Sequence, residues 1–273
     1  MIEVSIIIRT LNEDKYINHL LESIHQQTYN NFEIINVDSG STDKTLNISE
    51  RFKCKIITIK PEDFTFGYAL NKGIEQSRGK FIVIISAHTK PKNKFWLENL
   101  ICPLRESKIA MVYGKQEGSK DSNIGEFKDL ERTFGNKRKE ISKKNIYANN
   151  ANSAIQKTLW ENHKFNEILT GQEDVEWAKY WLEKGYKVIY EPKSSIFHYH
   201  KEKLTKVRNR YYREALAYKA IGIWKKRLLV KFLFKEFLFF NLDFISAAKS
   251  KKIIELFLFR TNKAYGIFKG LLS

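Results

Sequence analysis

A chain of 273 residues, 42% of them hydrophobic, is long enough to bury one full core with a smaller appendage, so two equal domains are not expected. Of the formal net charge of +17, a surplus of 13 lies in residues 201–273, which hold 18 Lys and Arg against 5 Asp and Glu. Cys54 and Cys102 have no CxxC spacing, which argues against a zinc or redox site and predicts reduced core thiols in a cytosolic protein.

Strands and helices alternate along the first two hundred residues. The predicted elements are, in chain order, strands at 4–10, 32–37, 54–60 and 80–86, with helices over 14–27, from Thr42 or Asp43 onward, and over 66–77. β-branched runs alternating with helical patterns at this spacing indicate parallel βαβ units. The sequence therefore predicts an α/β fold with a mostly parallel, Rossmann-like sheet flanked by helices.

Polar residues follow the predicted strands, where ligands bind in such sheets. They are Thr10, Asn12 and Glu13 after the first strand, Asp38 to Thr42 after the second, Glu62 to Phe66 after the third, and Ser86 to His88 after the fourth. Neither GxGxxG nor GxxxxGK[ST] occurs at these ends. Their absence argues against a nicotinamide enzyme and against a P-loop NTPase.

Four ordered segments over roughly residues 3–200 resemble the family 2 glycosyltransferases of the GT-A fold. They are VSIIIRTLNEDKYINHLLESIHQQTYNNFEIINVDSGSTDKT, FGYALNKGIEQSRGKFIVIISA, NNANSAIQKTLWENHKF and GQEDVEWAKYWLEKGYKV. The resemblance implies an inverting transfer of a sugar from a nucleotide-diphosphate donor. The expected GT-A catalytic domain is residues 1–200, whereas the charge and aromatic content set residues 201–273 apart as a basic helical extension.

The resemblance places the nucleotide against the ends of the strands. The expected nucleotide-binding residues are Thr10, Asn12, Glu13, Asp38, Ser39, Gly40, Asn71, Ser86 and Ala87. Asp38 would accept the N–H of the base, and Glu13 would contact the ribose or the base. The structural alternatives are an ordinary helix cap around Thr10 to Glu13 and another among Ser41, Thr42 and Asp43.

The fourth strand ends in Ser86-Ala87-His88, where the resembled family has a D-x-D-like motif that holds a divalent cation. Neutral imidazole is a poor Mg²⁺ ligand and a fair Mn²⁺ ligand. Three interpretations follow. In the first, His88 ligates Mn²⁺ or Mg²⁺ together with His198 or His200, of which His198 is preferred. In the second, protonated His88 and a Lys or Arg neutralise the diphosphate without a metal. In the third, His88 only donates a hydrogen bond to a sugar or phosphate.

An inverting transfer needs a carboxylate that removes the proton of the acceptor hydroxyl. The segment GQEDVEW offers Glu173 and Asp174, and the resemblance favours Asp174 as the base with Glu173 touching the acceptor. Acidic residues in the first turn of a helix also complement its dipole, which is the structural alternative. The further donor- or acceptor-binding candidates are Asn150, Asn152, Gly171 and Trp177, for which a turn cluster and an amphipathic core are the alternatives.

Residues 228–248 interleave six phenylalanines with charged side chains, so a spanning helix is not expected. The extension either lies in the headgroup region of an anionic membrane or packs on the main domain or on a second subunit of a homodimer.

The predicted protein is a cytoplasmic enzyme, peripheral on the inner face of the membrane. Its donor would be a nucleotide-sugar, expected to be a UDP-sugar because UDP is the commonest nucleotide in the resembled family. Its acceptor would be a glycan or a lipid-linked glycan in capsule or lipopolysaccharide synthesis. The alternatives are a catalytically degenerate scaffold and a basic nucleic-acid-binding protein; no nucleic acid partner is expected.

Overall fold

The computed structural model describes residues 2–119, 122–199 and 202–273. The chain divides into two compact units. The first, called the sheet unit, comprises Met1–Glu117, Phe134–Ile168 and Glu173–His198; the second, called the helical unit, comprises Gly118–Thr133, Leu169–Gln172 and Tyr199–Ser273. Two internal segments thus group with the basic extension.

The strands of the described residues are β1 Val4–Thr10, β2 Phe32–Asp38, β3 Lys55–Thr58, β4 Phe81–Ser86, β5 Thr89–Pro91, β6 Ile109–Gly118, β7 Lys139–Glu140, β8 Asn152–Gln156 and β9 Lys187–His198. The helices are α1 Asp14–His25, α2 Thr45–Arg51, α3 Phe66–Glu75, α4 Trp96–Ile101, α5 Ile124–Thr133, α6 Lys157–Asn162, α7 Glu173–Glu183, α8 Leu204–Ala220, α9 Leu229–Lys249 and α10 Ile253–Leu272. Short 3-10 turns lie at Pro61–Asp63, Cys102–Arg105 and Lys226–Leu228.

The sheet has the order β3-β2-β1-β4-β8-β6-β9-β5, with β7 beside β9. The first four strands are parallel, whereas β8 runs antiparallel to β4 and to β6. In this register Thr10 lies opposite Asp38, and Arg9 lies opposite Ser86. The polar ends of β1, β2 and β4 therefore meet at one edge of the sheet, as parallel strands require.

Both faces of the parallel strands are covered. Helix α1 buries an apolar face that joins one core with alternate residues of β1 and β4, and Leu20 and Leu21 on it are fully buried. Each such side chain contributes roughly 1.5–3 kcal/mol on burial. Helix α3 covers the other face at Gly73, where an added Cβ would lie 2.8 Å from side-chain carbons of Ile7 and Val37. The close approach explains the glycine.

The predicted alternation of strands and helices is confirmed, with corrections at particular residues. Helix α2 begins at Thr45 rather than at Thr42 or Asp43, because Asp43 Oδ1 accepts the Thr45 N–H at 2.9 Å just before the helix. The prediction that both cysteines are core residues is wrong for Cys102, which is exposed in a 3-10 turn; Cys54 is half-buried.

The helical unit is formed by α5, α8, α9 and α10. Helices α8 and α10 approach closely at Gly266 and Gly270, where an added Cβ would lie 2.5 Å from the Arg208 carbonyl oxygen and 2.6 Å from that of Tyr212. Within the described ranges, no helix has the length and apolar composition needed to cross a bilayer.

Candidate active site

The end of β2 forms a tight turn around a buried carboxylate. Asp38 Oδ2 accepts the N–H groups of Gly40 at 3.0 Å and Ser41 at 2.8 Å. Its Oδ1 atom lies 2.8 Å from Thr10 Oγ1 and accepts the Ser41 hydroxyl at 2.5 Å. Gly40 has φ +98°, a conformation that a residue with a side chain adopts only at a cost. Asp38 therefore fixes this turn, and its contact with a nucleotide base stays a prediction.

The turn after β1 is bonded to the turn after β2. The Asn12 N–H donates to Ser41 Oγ at 2.8 Å, and Asn12 Oδ1 accepts the Thr42 N–H at 2.9 Å. The Ser39 N–H donates to the Thr10 carbonyl at 3.1 Å. The predicted nucleotide-binding residues of the two strands thus form one hydrogen-bonded surface at the sheet edge.

His88 lies beside this surface, two residues beyond β4. Its Nδ1 atom is 2.8 Å from Glu13 Oε1, and its Nε2 atom is 3.3 Å from Ser86 Oγ. A carboxylate acceptor places the ring proton of neutral imidazole on Nδ1. Glu13 therefore orients the His88 ring and leaves its Nε2 edge beside Ser86.

His198, at the end of β9, stacks on His88 with the ring centroids 5.0 Å apart and the planes inclined by 23°. Its Nδ1 atom lies 2.7 Å from Gln116 Oε1. The structure thus brings together two of the three predicted metal-ligating histidines. His200, the third, lies outside the described residues.

The two histidines partly fit a cation site. In both, the Nδ1 side is held by a side-chain oxygen, the arrangement usual for imidazoles that ligate metals through Nε2. Two imidazoles suit Mn²⁺ better than Mg²⁺. No group of three or more His, Cys, Asp and Glu side chains suited to a metal occurs in the part of the chain that the structure describes. The residues present would therefore form only part of a ligand set.

Glu173 and Asp174 begin α7 as a buried carboxylate pair. Asp174 Oδ2 accepts the Asn150 N–H at 2.8 Å, and Oδ1 accepts the Val175 N–H at 2.7 Å. Glu173 Oε1 lies 3.6 Å from Nη1 of Arg9, near the end of β1. The Arg9 guanidinium also stacks 4.7 Å from the ring centroid of Phe66. Arg9 thus places a cation beside the pair.

The environment of Asp174 shifts its acidity. Burial raises the pKa of Asp174 to about 8, and the neighbouring charge of Glu173 acts in the same direction. The N–H donors of Asn150 and Val175 and the charge of Arg9 oppose the rise in this pKa. Burial lowers the pKa of Arg9, while the two carboxylates raise it. A carboxylate with a pKa near neutral is well matched to accept a proton.

The histidines and the carboxylate pair lie at the same edge of the sheet. Ser86 is opposite Arg9 in the register, and the Ser86 N–H donates to the Ala151 carbonyl at 3.2 Å. The preceding residue, Asn150, holds Asp174 through its backbone N–H, and its Nδ2 atom lies 3.3 Å from Glu173 Oε1. Ala87 is buried between Ser86 and His88.

Two predicted site residues, both asparagines, have their polar groups engaged inside the sheet unit. Asn71 accepts from Trp160 Nε1 at 2.9 Å and donates to the Phe165 carbonyl at 2.9 Å. Asn152 accepts from Trp96 Nε1 at 2.9 Å and donates to backbone carbonyls on both sides. These contacts support structural roles, and the predicted ligand contacts of both asparagines stay predictions.

Trp177 and Gly171 differ in their surroundings. Trp177 is fully buried and donates from Nε1 to the His163 carbonyl at 2.7 Å, which agrees with the core interpretation. Gly171 belongs to a segment of the helical unit, and an added Cβ would meet nothing within 4 Å. A larger residue would fit at this position.

Arg9 and Gln116 also belong to the site, although neither is among the residues predicted from the sequence. The position of Arg9 inside VSIIIRT, a run otherwise suited to a buried strand, is the feature that could have marked it. Gln116 lies in KQEG at the end of β6, and no pattern of spacing links it to His198, 82 residues later.

The chain matches the family model described as glycosyl transferase family 2 over residues 5–162. It is 26% identical over 193 residues to "O-antigen chain rhamnosyltransferase WbaN" of Salmonella anatum, which covers 67% of this chain and 61% of that protein. It is 27% identical over 195 residues to "GalNAc(5)-diNAcBac-PP-undecaprenol beta-1,3-glucosyltransferase" of Campylobacter jejuni, covering 68% of this chain and 62% of that protein. The chain thus spans about three fifths of each.

Two solved structures show the same fold. The mannosyltransferase PcManGT from Pyrobaculum calidifontis, in complex with GDP-Man and Mn²⁺, superposes with a TM-score of 0.63 at 21% identity, over 82% of this chain and 65% of that one. TarS of S. aureus, in complex with UDP-GlcNAc, gives a TM-score of 0.59 at 17% identity, over 96% and 90%. The predicted fold class, a GT-A-type α/β sheet flanked by helices and followed by C-terminal helices, is confirmed.

Proposed function

The chain belongs to glycosyl transferase family 2, and from that premise we propose that it is an inverting glycosyltransferase. It moves a sugar from a nucleotide-diphosphate donor to a hydroxyl of a growing glycan or of a lipid-linked acceptor. The observation that carries this proposal is the buried carboxylate pair at the sheet edge, where Asp174 has a pKa raised to about 8 by burial and Glu173 lies beside Arg9.

Asp174 is the proposed base. Its carboxylate accepts the proton of the acceptor hydroxyl, the hydroxyl oxygen forms a bond to the anomeric carbon, and the bond from that carbon to the donor diphosphate breaks with its electrons leaving on the nucleotide. Two N–H donors, from Asn150 and Val175, hold the carboxylate in place. Positioning of this kind and a pKa near the working pH are what efficient proton transfer requires.

Glu173, Asn150 and Arg9 support that step. Glu173 is proposed to touch the acceptor, while the Asn150 side chain, 3.3 Å from Glu173 Oε1, orients it. Arg9 partly balances the two neighbouring carboxylates, so that Asp174 can ionise beside Glu173. Arg9 acts through the carboxylates and is therefore a positioning residue. Asn152, Gly171 and Trp177 stay proposed contributors to the donor and acceptor sites.

The joined turns after β1 and β2 are the proposed nucleotide site. The turn after β2, formed by Asp38, Ser39 and Gly40, lies beside Thr10, Asn12 and Glu13. The predicted set of nucleotide-binding residues also includes Asn71, Ser86 and Ala87. The N–H groups of Gly40, Ser41 and Thr42 already donate within the turns, so this surface would meet a nucleotide through its polar side chains. The structures with GDP-Man and with UDP-GlcNAc support a nucleotide-sugar as the donor class.

His88 and His198 would hold a divalent cation, with Mn²⁺ favoured over Mg²⁺ by the imidazole ligands. A cation bound there would neutralise negative charge on the donor diphosphate. Glu13 and Gln116 orient the two rings for this role. The Mn²⁺ in the PcManGT structure supports a cation in this fold.

The proposed acceptor is a glycan on a lipid carrier in surface polysaccharide synthesis, and the proposed location is the cytoplasmic face of the membrane. The relatives support this proposal, since one is named for O-antigen chains and another for PP-undecaprenol. The positive charge of residues 201–273 is consistent with work beside anionic lipid.

Turnover of nucleotide-sugars tests the proposal. The purified protein is incubated with a panel of UDP-, dTDP-, GDP- and CDP-sugars and with membrane lipid extract, and nucleoside diphosphate release is measured. We expect release with one donor and a loss of about 100-fold or more in Asp174→Asn, while Glu183→Gln, at the exposed end of the same helix, matches the wild type. An Asp174→Asn variant that keeps a tenth of the wild-type rate excludes Asp174 as the base, and no turnover with any donor favours a scaffold protein.

A further inference from the structure

Helix α9 buries its two acidic side chains while several of its large apolar side chains face outward. Glu236 and Asp243, seven residues apart, are buried, whereas Phe234 and Phe237 are 65% and 66% exposed and Ile245 is 68% exposed. A helix that packs by burying an apolar stripe normally shows the opposite pattern. The outward face of α9 therefore presents aromatic and aliphatic side chains to its surroundings.

Helix α10 also buries a charge and exposes apolar side chains, although Leu256, Phe259, Ile267 and Leu271 pack inward. Arg260 is 3% exposed, while an apolar stripe faces outward. The members of that stripe are Ile254, Phe257, Leu258, Tyr265, Phe268 and Leu272. Their spacings of three, four and seven residues keep them on one side of the helix over about 27 Å. The outward faces of α9 and α10 are together called the apolar face.

Buried ion pairs hold α5, α9 and α10 together behind the apolar face. Arg260 donates to Asp129 at 2.7 Å, to Glu236 at 3.0 Å and to Asp243 at 2.9 Å. Lys263 bonds Asp129 at 2.7 Å and Glu236 at 2.9 Å. These polar contacts lie on the inward side of α9 and α10, and the apolar face remains exposed, as surfaces that bind a partner do.

Cations accompany the apolar face. Lys231, Lys235 and Lys249 are exposed on α9. At the α8–α10 contact a cleft of about 230 Å³ is lined by Arg208 and Lys269 with tyrosines between them. Arg208 lies 5.7 Å from the Tyr265 ring centroid, next to the apolar stripe. Basic groups beside exposed aromatics match the phosphates and the acyl boundary of an anionic bilayer.

We propose that the apolar face docks on the surface of an anionic phospholipid bilayer, with Phe234, Phe237, Phe257 and Phe268 entering the acyl boundary and the basic cleft binding a lipid phosphate. The inference deepens the membrane part of the proposed function by naming the surface that would make the contact. A docked helix lying in the interface fits these helices, since the charges at Glu236, Asp243 and Arg260 interrupt them. The surplus of 13 positive charges in residues 201–273 favours lipid over a second copy of this chain, because two such surfaces would repel.

Sedimentation of the full chain with vesicles tests the proposal without donor or acceptor, so its outcome is separate from that of the transfer assay. Binding is expected with vesicles of phosphatidylcholine and phosphatidylglycerol and is expected to fall sharply with phosphatidylcholine alone. A Phe234→Gln, Phe237→Gln, Phe257→Gln, Phe268→Gln variant should bind at least about tenfold more weakly. The matched control is Phe95→Gln, which changes an exposed phenylalanine of the sheet unit.

The charge contribution is tested separately. Lys231→Gln and Lys249→Gln should each weaken binding to the phosphatidylglycerol vesicles by about fivefold, and Arg208→Gln with Lys269→Gln should do the same or more. Lys143→Gln with Lys144→Gln, two exposed lysines of the sheet unit, should have no effect. Circular dichroism and the midpoint of thermal unfolding verify that each variant is folded.

Two results would overturn the proposal. In the first, the wild type sediments equally with neutral and anionic vesicles, and the phenylalanine variant does the same. This result would show that the apolar face is not the lipid contact. A dimer in sedimentation velocity that the phenylalanine variant converts to a monomer, with vesicle binding unchanged, assigns the apolar face to a second copy instead.

Discussion

The Nδ1 atom of His88 lies 2.8 Å from Oε1 of Glu13, 75 residues earlier in the chain. The contact fixes the orientation of His88. This histidine belongs to the segment Ser86-Ala87-His88, which stands where the resembled family has a D-x-D-like carboxylate motif. The contact also joins the ends of β1 and β4, so that the histidine belongs to the same surface as the proposed nucleotide site.

His88→Ala should remove the cation dependence of nucleotide binding, because the cation loses an oriented imidazole ligand. Titration calorimetry with UDP, GDP, dTDP and CDP in Mn²⁺, Mg²⁺ and EDTA measures it. His19→Ala, an exposed histidine on α1, is the control. If the wild type binds equally well in EDTA, protein cations neutralise the diphosphate and the metal proposal for His88 and His198 is wrong.

The pH dependence of transfer should follow Asp174. The base acts when deprotonated, and burial raises its pKa to about 8, so kcat/KM should increase with pH and level off above a midpoint near 8. Initial rates between pH 5 and about 10 in buffers of constant ionic strength give the profile. A rate that is flat from pH 5 upward would show a base with an ordinary carboxyl pKa.

Arg9→Met should move that midpoint to higher pH. Arg9 lowers the pKa of Asp174 through its charge, so removing the charge favours the protonated carboxyl. Arg9→Lys, which keeps the charge, should return the midpoint toward the wild-type value. Arg51→Met, an exposed arginine on α2, serves as the control. A lower rate with an unmoved midpoint in Arg9→Met would mean that Arg9 serves only packing.

Asn71→Ala distinguishes a structural from a nucleotide-binding asparagine. The substitution leaves Trp160 Nε1–H and the Phe165 N–H without their acceptor inside the sheet unit, which should lower the free energy of unfolding by about 2–6 kcal/mol. Urea denaturation measures it, with Asn145→Ala at an exposed position as the control. An unchanged unfolding free energy together with weaker nucleotide binding would instead support the predicted ligand contact.

The elements that the sequence predicts well are those with local patterns. Residues 4–10 and 80–86 are β-branched and bounded by polar turns, and their strands lie within a residue of the predicted ends. The carboxylates of GQEDVEW are conspicuous for the same reason, because a local motif marks them. Fold class and the base candidate therefore follow from short stretches of chain.

The remaining features depend on contacts between distant residues. Gln116 meets His198, and Arg9 meets Glu173, only after the sheet has formed. The burial of Glu236 and Asp243 on α9 is also a tertiary property, since the sequence interleaves phenylalanine and charge without showing which side packs inward. No local periodicity encodes which partner a buried charge will meet.

The pairing of Arg9 with Glu173 has a consequence for synthesis on the ribosome. Arg9 is 19% exposed in the folded protein, yet the carboxylate beside it is 164 residues further along the chain. At usual rates of translation Arg9 is added to the chain roughly ten to thirty seconds before Glu173 is made. During that interval β1 has an uncompensated cation at its end, so the N-terminal half of the sheet gains its final stability only when α7 arrives.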